Sequence, residues 1–153
     1  DRFMFMVKVD YPNADEEREI LRRTTGGEGK QIRGILDGKV LPELQAAVRE
    51  VPVADTVYDY VLALTRSSRL GDESALDFIQ QYVTWGAGPR ASQFLILGAK
   101  AHAALQGRNH VSTEDVRAIA HPVLRHRMAL NFAARAEGVT MAHIIDTLAA
   151  RIG

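Results

Sequence analysis

The chain contains no cysteine, which excludes disulfides, thiolate metal sites and a thiol nucleophile. A reducing, cytoplasmic setting is the expectation. No run approaches the ~18–20 apolar residues that a membrane-spanning helix needs, so no span is expected. Neither sign of charge is in excess, with 19 Lys+Arg against 19 Asp+Glu. No global field therefore draws the chain to nucleic acid or anionic lipid. The only bias is regional, six arginines against four acids over residues 107–153. Familiar catalytic signatures are missing too: no Gly-x-Ser-x-Gly elbow, no His-Glu-x-x-His, and no Gly-x-x-x-x-Gly-Lys-Ser/Thr to cradle a triphosphate. His121 and His126 fall off the i,i+4 spacing of two ligands on one helix face. Pro122 lies between them, and Arg125 and Arg127 would repel a cation. Capped or surface histidines are expected there, and no metal site.

What is present is a sequence of 153 residues, 46% hydrophobic and 25% charged. That suits one domain with a real core, or a small domain carrying part of a neighbour. The chain opens Asp1-Arg2-Phe3 in a strand-like pattern without an initiator methionine, as expected for a piece of a longer protein. Residues 3–9, Phe-Met-Phe-Met-Val-Lys-Val, read as a buried strand ended by Tyr11-Pro12. Such a strand without its sheet leaves unpaired backbone groups, so it should dock elsewhere or self-associate. Asn13 with Glu16 forms a capping box for a helix over 14–24 that turns Ile20 and Leu21 inward. Gly26-Gly27-Glu28-Gly29 is a flexible break.

From Leu41 the pattern is helical nearly throughout. Pro42 suits a first turn, and Asp55 caps a helix over 56–69 with Val57, Val61 and Leu64 on one stripe. Asp72 or Ser74 starts another helix, carrying Leu76, Ile79 and Val83 inward and Trp85 near its end. Residues 90–106 are apolar on most sides and mark a central helix, in which Gly98 permits a close neighbour. Ser112 with Asp115 caps a helix over 113–120, Pro122 begins a further turn, and Thr140 caps a last helix over 141–151. The fold class is mainly α: one strand, then a bundle of six or seven helices.

One segment carries chemical information, Gly86-Ala87-Gly88-Pro89-Arg90-Ala91-Ser92. Pro89 and Arg90 open the buried helix, where backbone N–H groups and the dipole favour an anion and a guanidinium adds permanent charge. On the residues alone this is either a phosphate contact or an ordinary helix start with a surface arginine.

That segment is followed by an Ala/Leu-rich helix, by Gly107-Arg108-x-His110-Val111-x-Thr113-Glu114-Asp115-Val116, and by Leu124-Arg125-His126-Arg127. Together they resemble the lid of the MoxR-type AAA+ ATPases. Asp1-Arg2-Phe3 before a strand and Tyr11-Pro12 resembles the end of that family's core domain. The motifs keep the family's order and span essentially the whole chain. Gly88 departs from the pattern, because many members carry Ser before Pro-Arg. The resemblance implies a core strand over 1–12, a connecting helix and Gly-rich segment over 13–40, and a helical lid over 41–153. It implies that Arg90 is the sensor 2 arginine reaching the γ-phosphate of ATP, with Gly88 and Pro89 beside it. Arg2 is then the arginine finger offered to a neighbouring subunit; a salt bridge that steadies the strand is the other reading. ATP with Mg²⁺, an upstream core bearing the Walker segments, a hexameric ring and unidentified client proteins are implied in the same way, with chaperone-like remodelling as the activity. The alternative is a non-catalytic helical adaptor or nucleic-acid-binding module using Arg125-His126-Arg127, although zero net charge and scarce lysine count against nucleic acid. For Leu124–Arg127 a third reading is packing within the lid.

Overall fold

A computed structural model describes residues 2–26 and 33–152. Among the described residues it holds eight helices and one small two-stranded sheet. The glycine-rich break falls, beyond Gly26, outside the described residues. No helix among those described is long and apolar enough to cross a membrane.

Helix α1 (Ala14–Thr25) starts at the expected capping box, with Asn13 accepting from the Asp15 and Glu16 amides and Glu16 accepting from the Asn13 amide. Acids in its first turn and arginines in its last complement the helix dipole. Its apolar pair does not turn inward: Ile20 is 49% and Leu21 54% exposed. The cap and the pairs Arg18–Asp15 and Arg23–Glu19 hold this helix locally, without burial.

Helices α2 (Val40–Glu50), α3 (Asp55–Arg66) and α4 (Asp77–Tyr82) lead to strand β1 (Val83–Trp85). The stripe Val57, Val61 and Leu64 is buried as its spacing requires. Asp55, however, is the first residue inside α3 and makes no cap. The segment expected as one helix through Trp85 instead breaks at Val83, where the chain pairs antiparallel with β2 (Ala129–Leu130). A β-branched run of Val-Thr before a bulky Trp suits a pleated ladder better than a helix.

The central helix α5 (Pro89–Leu105) begins with proline at its first position and ends at Gly107, whose φ of 70° suits a residue without Cβ. Its main partner is α6 (Thr113–Leu124), and α7 (Phe132–Ala136) and α8 (Met141–Ile152) complete the bundle. Leu64, Ile79, Leu95, Leu124, Ile144, Ile145 and Leu148 are the largest fully buried apolar side chains. Thr140 caps α8 through the His143 amide, as expected. Pro122 does not begin a new turn; it lies inside α6. The carbonyl it would strip of a partner is that of Ala118, which is exposed, so water can satisfy it.

Residues 3–9 form no strand. With no ladder beside them, their backbone finds other partners on the bundle. The Met6 amide donates to the Pro122 carbonyl at 2.8 Å, and side chains from 126–127 take the carbonyls before it. Gly98 makes room for this docking, since a Cβ there would stand 3.1 Å from Ile119, 3.2 Å from Met4 and 3.3 Å from Phe5.

The capping box of α6 is also a buried charge cluster. Asp115 has a fully buried side chain that accepts from Arg108, from His102 at 2.6 Å, and from the Ser112 amide at 2.8 Å. Burial alone would raise its pKa, but the hydrogen bonds from Arg108, His102 and Ser112 outweigh it and hold the carboxyl well below the usual range. A depressed folded pKa contributes stability above the unfolded value of about 3.9 and loses it as pH falls below that. Asp115→Asn should therefore cost about 2–4 kcal/mol at neutral pH, because Arg108 loses its buried counter-charge. Urea titrations should show that difference shrinking between about pH 4 and pH 2. An equal loss at both pH values would show that the cluster is not what the acid limb reports.

Candidate functional site

The mouth of α5 is built by α3 and the turn after it. Ser68, buried, donates to the Thr65 carbonyl at 2.6 Å and accepts from the Ala87 amide at 2.9 Å. Arg69 donates through Nε to the Ala87 carbonyl at 2.8 Å. The hydroxyls of Thr65 and Ser92 share a bond of 3.0 Å, tying the first turn of α5 to the same helix. Both backbone groups of Ala87 are thus held by adjacent side chains, and loop 86–88 has little freedom.

Gly86 is required for this. A Cβ there would sit 2.1 Å from the Ser68 carbonyl oxygen, so loop and turn could not approach as they do. Gly88 is different: a Cβ meets nothing within 4 Å and its backbone is extended, so serine would fit. The departure from the family pattern at this position costs the loop no geometry.

Beyond Gly88 the chain enters α5 with Pro89, then Arg90, exposed at the rim. The first turn has no side-chain cap and no acidic residue, which leaves it electropositive. Trp85, 70% exposed, stands on the loop's other side and lines a shallow cleft with Arg69 and Gly88. Below the loop, Arg66 pairs with Asp72, and hydrogen bonds from Ser74 and Arg66 bring the Asp72 pKa down to about 2. These contacts close the 67–72 turn that carries Ser68 and Arg69.

A second cation lies close by. Arg127 is buried, and its guanidinium lies 4.8 Å from the ring centre of Phe94, one turn along α5 from Arg90. Burial, with the charge of Arg90 as a smaller cause, lowers its pKa from the usual arginine value. It donates to the carbonyls of Val123, Phe3 and Met4, the last at 3.0 Å. His126 donates from Nε2 to the Phe3 carbonyl at 3.0 Å, while Arg125 turns back onto the His121 carbonyl. The Leu124–Arg127 motif therefore packs inward and grips the N-terminal segment. His121 pairs separately with Asp146 at 2.7 Å.

Arg2 is exposed at the start of that gripped segment. Among the described residues it has no acidic partner. The structure thus gathers Gly88, Pro89 and Arg90 at the mouth of α5 and tethers the backbone next to Arg2 to α6 and to Arg127, whose guanidinium lies against Phe94 of α5. Sequence reasoning placed Gly86 in this loop without its close approach to Ser68, and it missed Ser68 and Arg69 altogether. The one available signal was Gly86 itself, a glycine two residues ahead of a helix that Gly88 already suffices to start.

Residues 77–148 match the AAA lid domain family. The chaperone MoxR1 of Mycobacterium tuberculosis is 34% identical over 146 residues, covering 95% of this chain and 38% of its own length. Protein MoxR of Paracoccus denitrificans is 32% identical over 142 residues, covering 86% and 42%. A crystal structure of a candidate ATPase from Cytophaga hutchinsonii superposes with a TM-score of 0.88 at 29% identity, over 99% of this chain and 46% of that one. The chain spans about two fifths of the length of the curated relatives it matches. The lid match, the relatives that extend along nearly the whole chain and the shared fold agree: this chain carries an AAA lid domain and resembles the MoxR-type AAA+ ATPases along nearly its whole length.

Proposed function

We propose that this chain is the lid-bearing portion of an ATPase whose upstream core binds ATP and Mg²⁺, and that Arg90 serves as its sensor 2 residue. The observation that carries the reading is the stapled loop 86–88, which presents Arg90 on an electropositive helix mouth. Phosphoryl transfer is served chiefly by positioned charge at the γ-phosphate, and an arginine on a fixed helix end can supply it. Residues 1–12 would close the core domain, with Arg2 offered as a finger to the next subunit of a homo-oligomeric ring. The helix and glycine-rich segment over 13–40 would link core to lid. Coupling of hydrolysis to chaperone-like remodelling of client proteins is part of the same proposal, supported by the name of one relative, the chaperone MoxR1.

Phosphate release in the presence of Mg²⁺ tests the reading. The full-length protein should turn over ATP, while this chain alone should give background release and weak nucleotide binding, since it has no phosphate loop. A full-length protein without turnover at any nucleotide concentration would overturn the proposal, and metal-dependent turnover by the chain alone would show that the chemistry resides elsewhere in it.

A further inference from the structure

The contacts of Arg127 reach two parts of the molecule that sequence separates widely. On one side its guanidinium takes the carbonyls of Phe3 and Met4, immediately after Arg2. On the other it stacks against Phe94, four residues beyond Arg90 on the same face of α5. It also takes the Val123 carbonyl near the C-terminus of α6, where unpaired carbonyls and the helix dipole favour a cation. The backbone adds a further link. Two residues past Arg127 the chain pairs, as β2, with β1, which runs directly into loop 86–88. Arg127, Gly88 and Trp85 consequently line one cleft. A planar, multiply donating guanidinium meets several carbonyls in only a narrow range of positions, so it fixes the segment it grips.

We propose that Arg127, assisted by His126, is a positioning residue that holds Arg2 at a set place relative to Arg90, so that one subunit presents both arginines as a rigid pair. This rests on the reading of Arg2 as a finger. It goes beyond that reading by giving the Arg-His-Arg motif a mechanical role, because lid and finger cannot move independently while Arg127 is seated. Arg127 itself, buried under the segment it holds, touches no nucleotide.

A double-mutant cycle in the full-length protein tests the idea, using Arg2→Ala and Arg127→Met; methionine keeps an apolar stem against Phe94 but donates nothing. Arg127→Met alone should lower kcat by about tenfold to a hundredfold, since small misplacements of a catalytic group cost this much. KM for ATP should stay nearly constant. In the Arg2→Ala background the same substitution should change kcat less than about twofold, because residues acting as a unit are not additive. If the two losses multiply in full, Arg127 does not act through Arg2 and the proposal is overturned. If Arg2→Ala alone keeps wild-type turnover, the finger reading fails, and that result stands apart from the cycle. Should Arg127→Met fail to assemble, His126→Phe removes only the imidazole donor to Phe3. It carries the same cycle at smaller amplitude, with the same non-additivity expected and full multiplication again fatal.

Discussion

Full-length protein carrying Arg90→Ala should lose ATP turnover by about a hundredfold to a thousandfold while binding ATP nearly as well as the wild type. The asymmetry follows from where the charge sits. Base, ribose and the inner phosphates would be held by the core, so one guanidinium from the lid adds little to ground-state affinity. In the transition state, charge redistributes on the γ-phosphoryl oxygens, and a fixed cation there is worth more than it was before. Loss of one such donor costs about 3–4 kcal/mol, which corresponds to the stated range of rates. Fixity comes from the staple of Ser68 and Arg69 on Ala87 and from the hydroxyl pair Thr65–Ser92. Arg90→Lys should recover only part of the rate, since an ammonium keeps the charge but not the planar fork. Steady-state kcat at saturating Mg²⁺ and ATP, beside titration with a non-hydrolysable analogue, separates the terms. Equal losses in affinity and in kcat/KM would mean that Arg90 binds substrate and transition state alike. Unchanged turnover would remove it from the site.

Much of the bundle was legible because its signals are local. Asn13 with Glu16, Ser112 with Asp115, and Thr140 each marked a helix start that the structure keeps. The stripe of Val57, Val61 and Leu64 marked a buried face, and Pro89-Arg90 marked a helix mouth. Gly98 was readable as a point of close approach, although its neighbours Met4 and Phe5 were not nameable from nearly a hundred positions away. What escaped depends on non-local partners. Val83–Trp85 continue the apolar spacing of the helix before them, and only β2, more than forty residues on, makes them a strand. Pro122 looked like a boundary because the exposure of Ala118, which makes it tolerable, is a tertiary property. Ser68 and Arg69 carry no motif; their role exists only where Gly86 lets loop 86–88 reach them. Arg127 was visible as part of a motif, but its acceptors are backbone carbonyls, which leave no mark in a sequence.

Arg2 should act in trans, on ATP bound by the next subunit of a ring. The side chain is exposed at the start of a segment whose backbone is anchored to the bundle through Arg127, His126 and the Pro122 carbonyl, and whose Met4 and Phe5 side chains pack at Gly98. A side chain held by its backbone yet turned to solvent suits a contact made across an interface. Among the described residues no acid of its own subunit neutralises it. Arg2→Ala in the full-length protein should leave nucleotide binding intact and lower turnover by about a thousandfold, within the range for an arginine supplied to a transferring phosphoryl group. That loss alone does not distinguish a finger from an internal support, so mixing decides. Arg2→Ala subunits keep an intact core but offer no finger; subunits lacking the Walker B acid keep Arg2 but cannot hydrolyse. Neighbours in a ring meet through heterologous interfaces, so in an equal mixture about a quarter of sites should join an intact core to an intact neighbouring Arg2. Activity should therefore rise well above that of either variant alone, towards that fraction of wild type. Co-assembly must be verified by the size of the mixed particles. Mixed rings no more active than their two components would show that Arg2 serves its own subunit, because a defect confined to one chain cannot be repaired by the chain beside it.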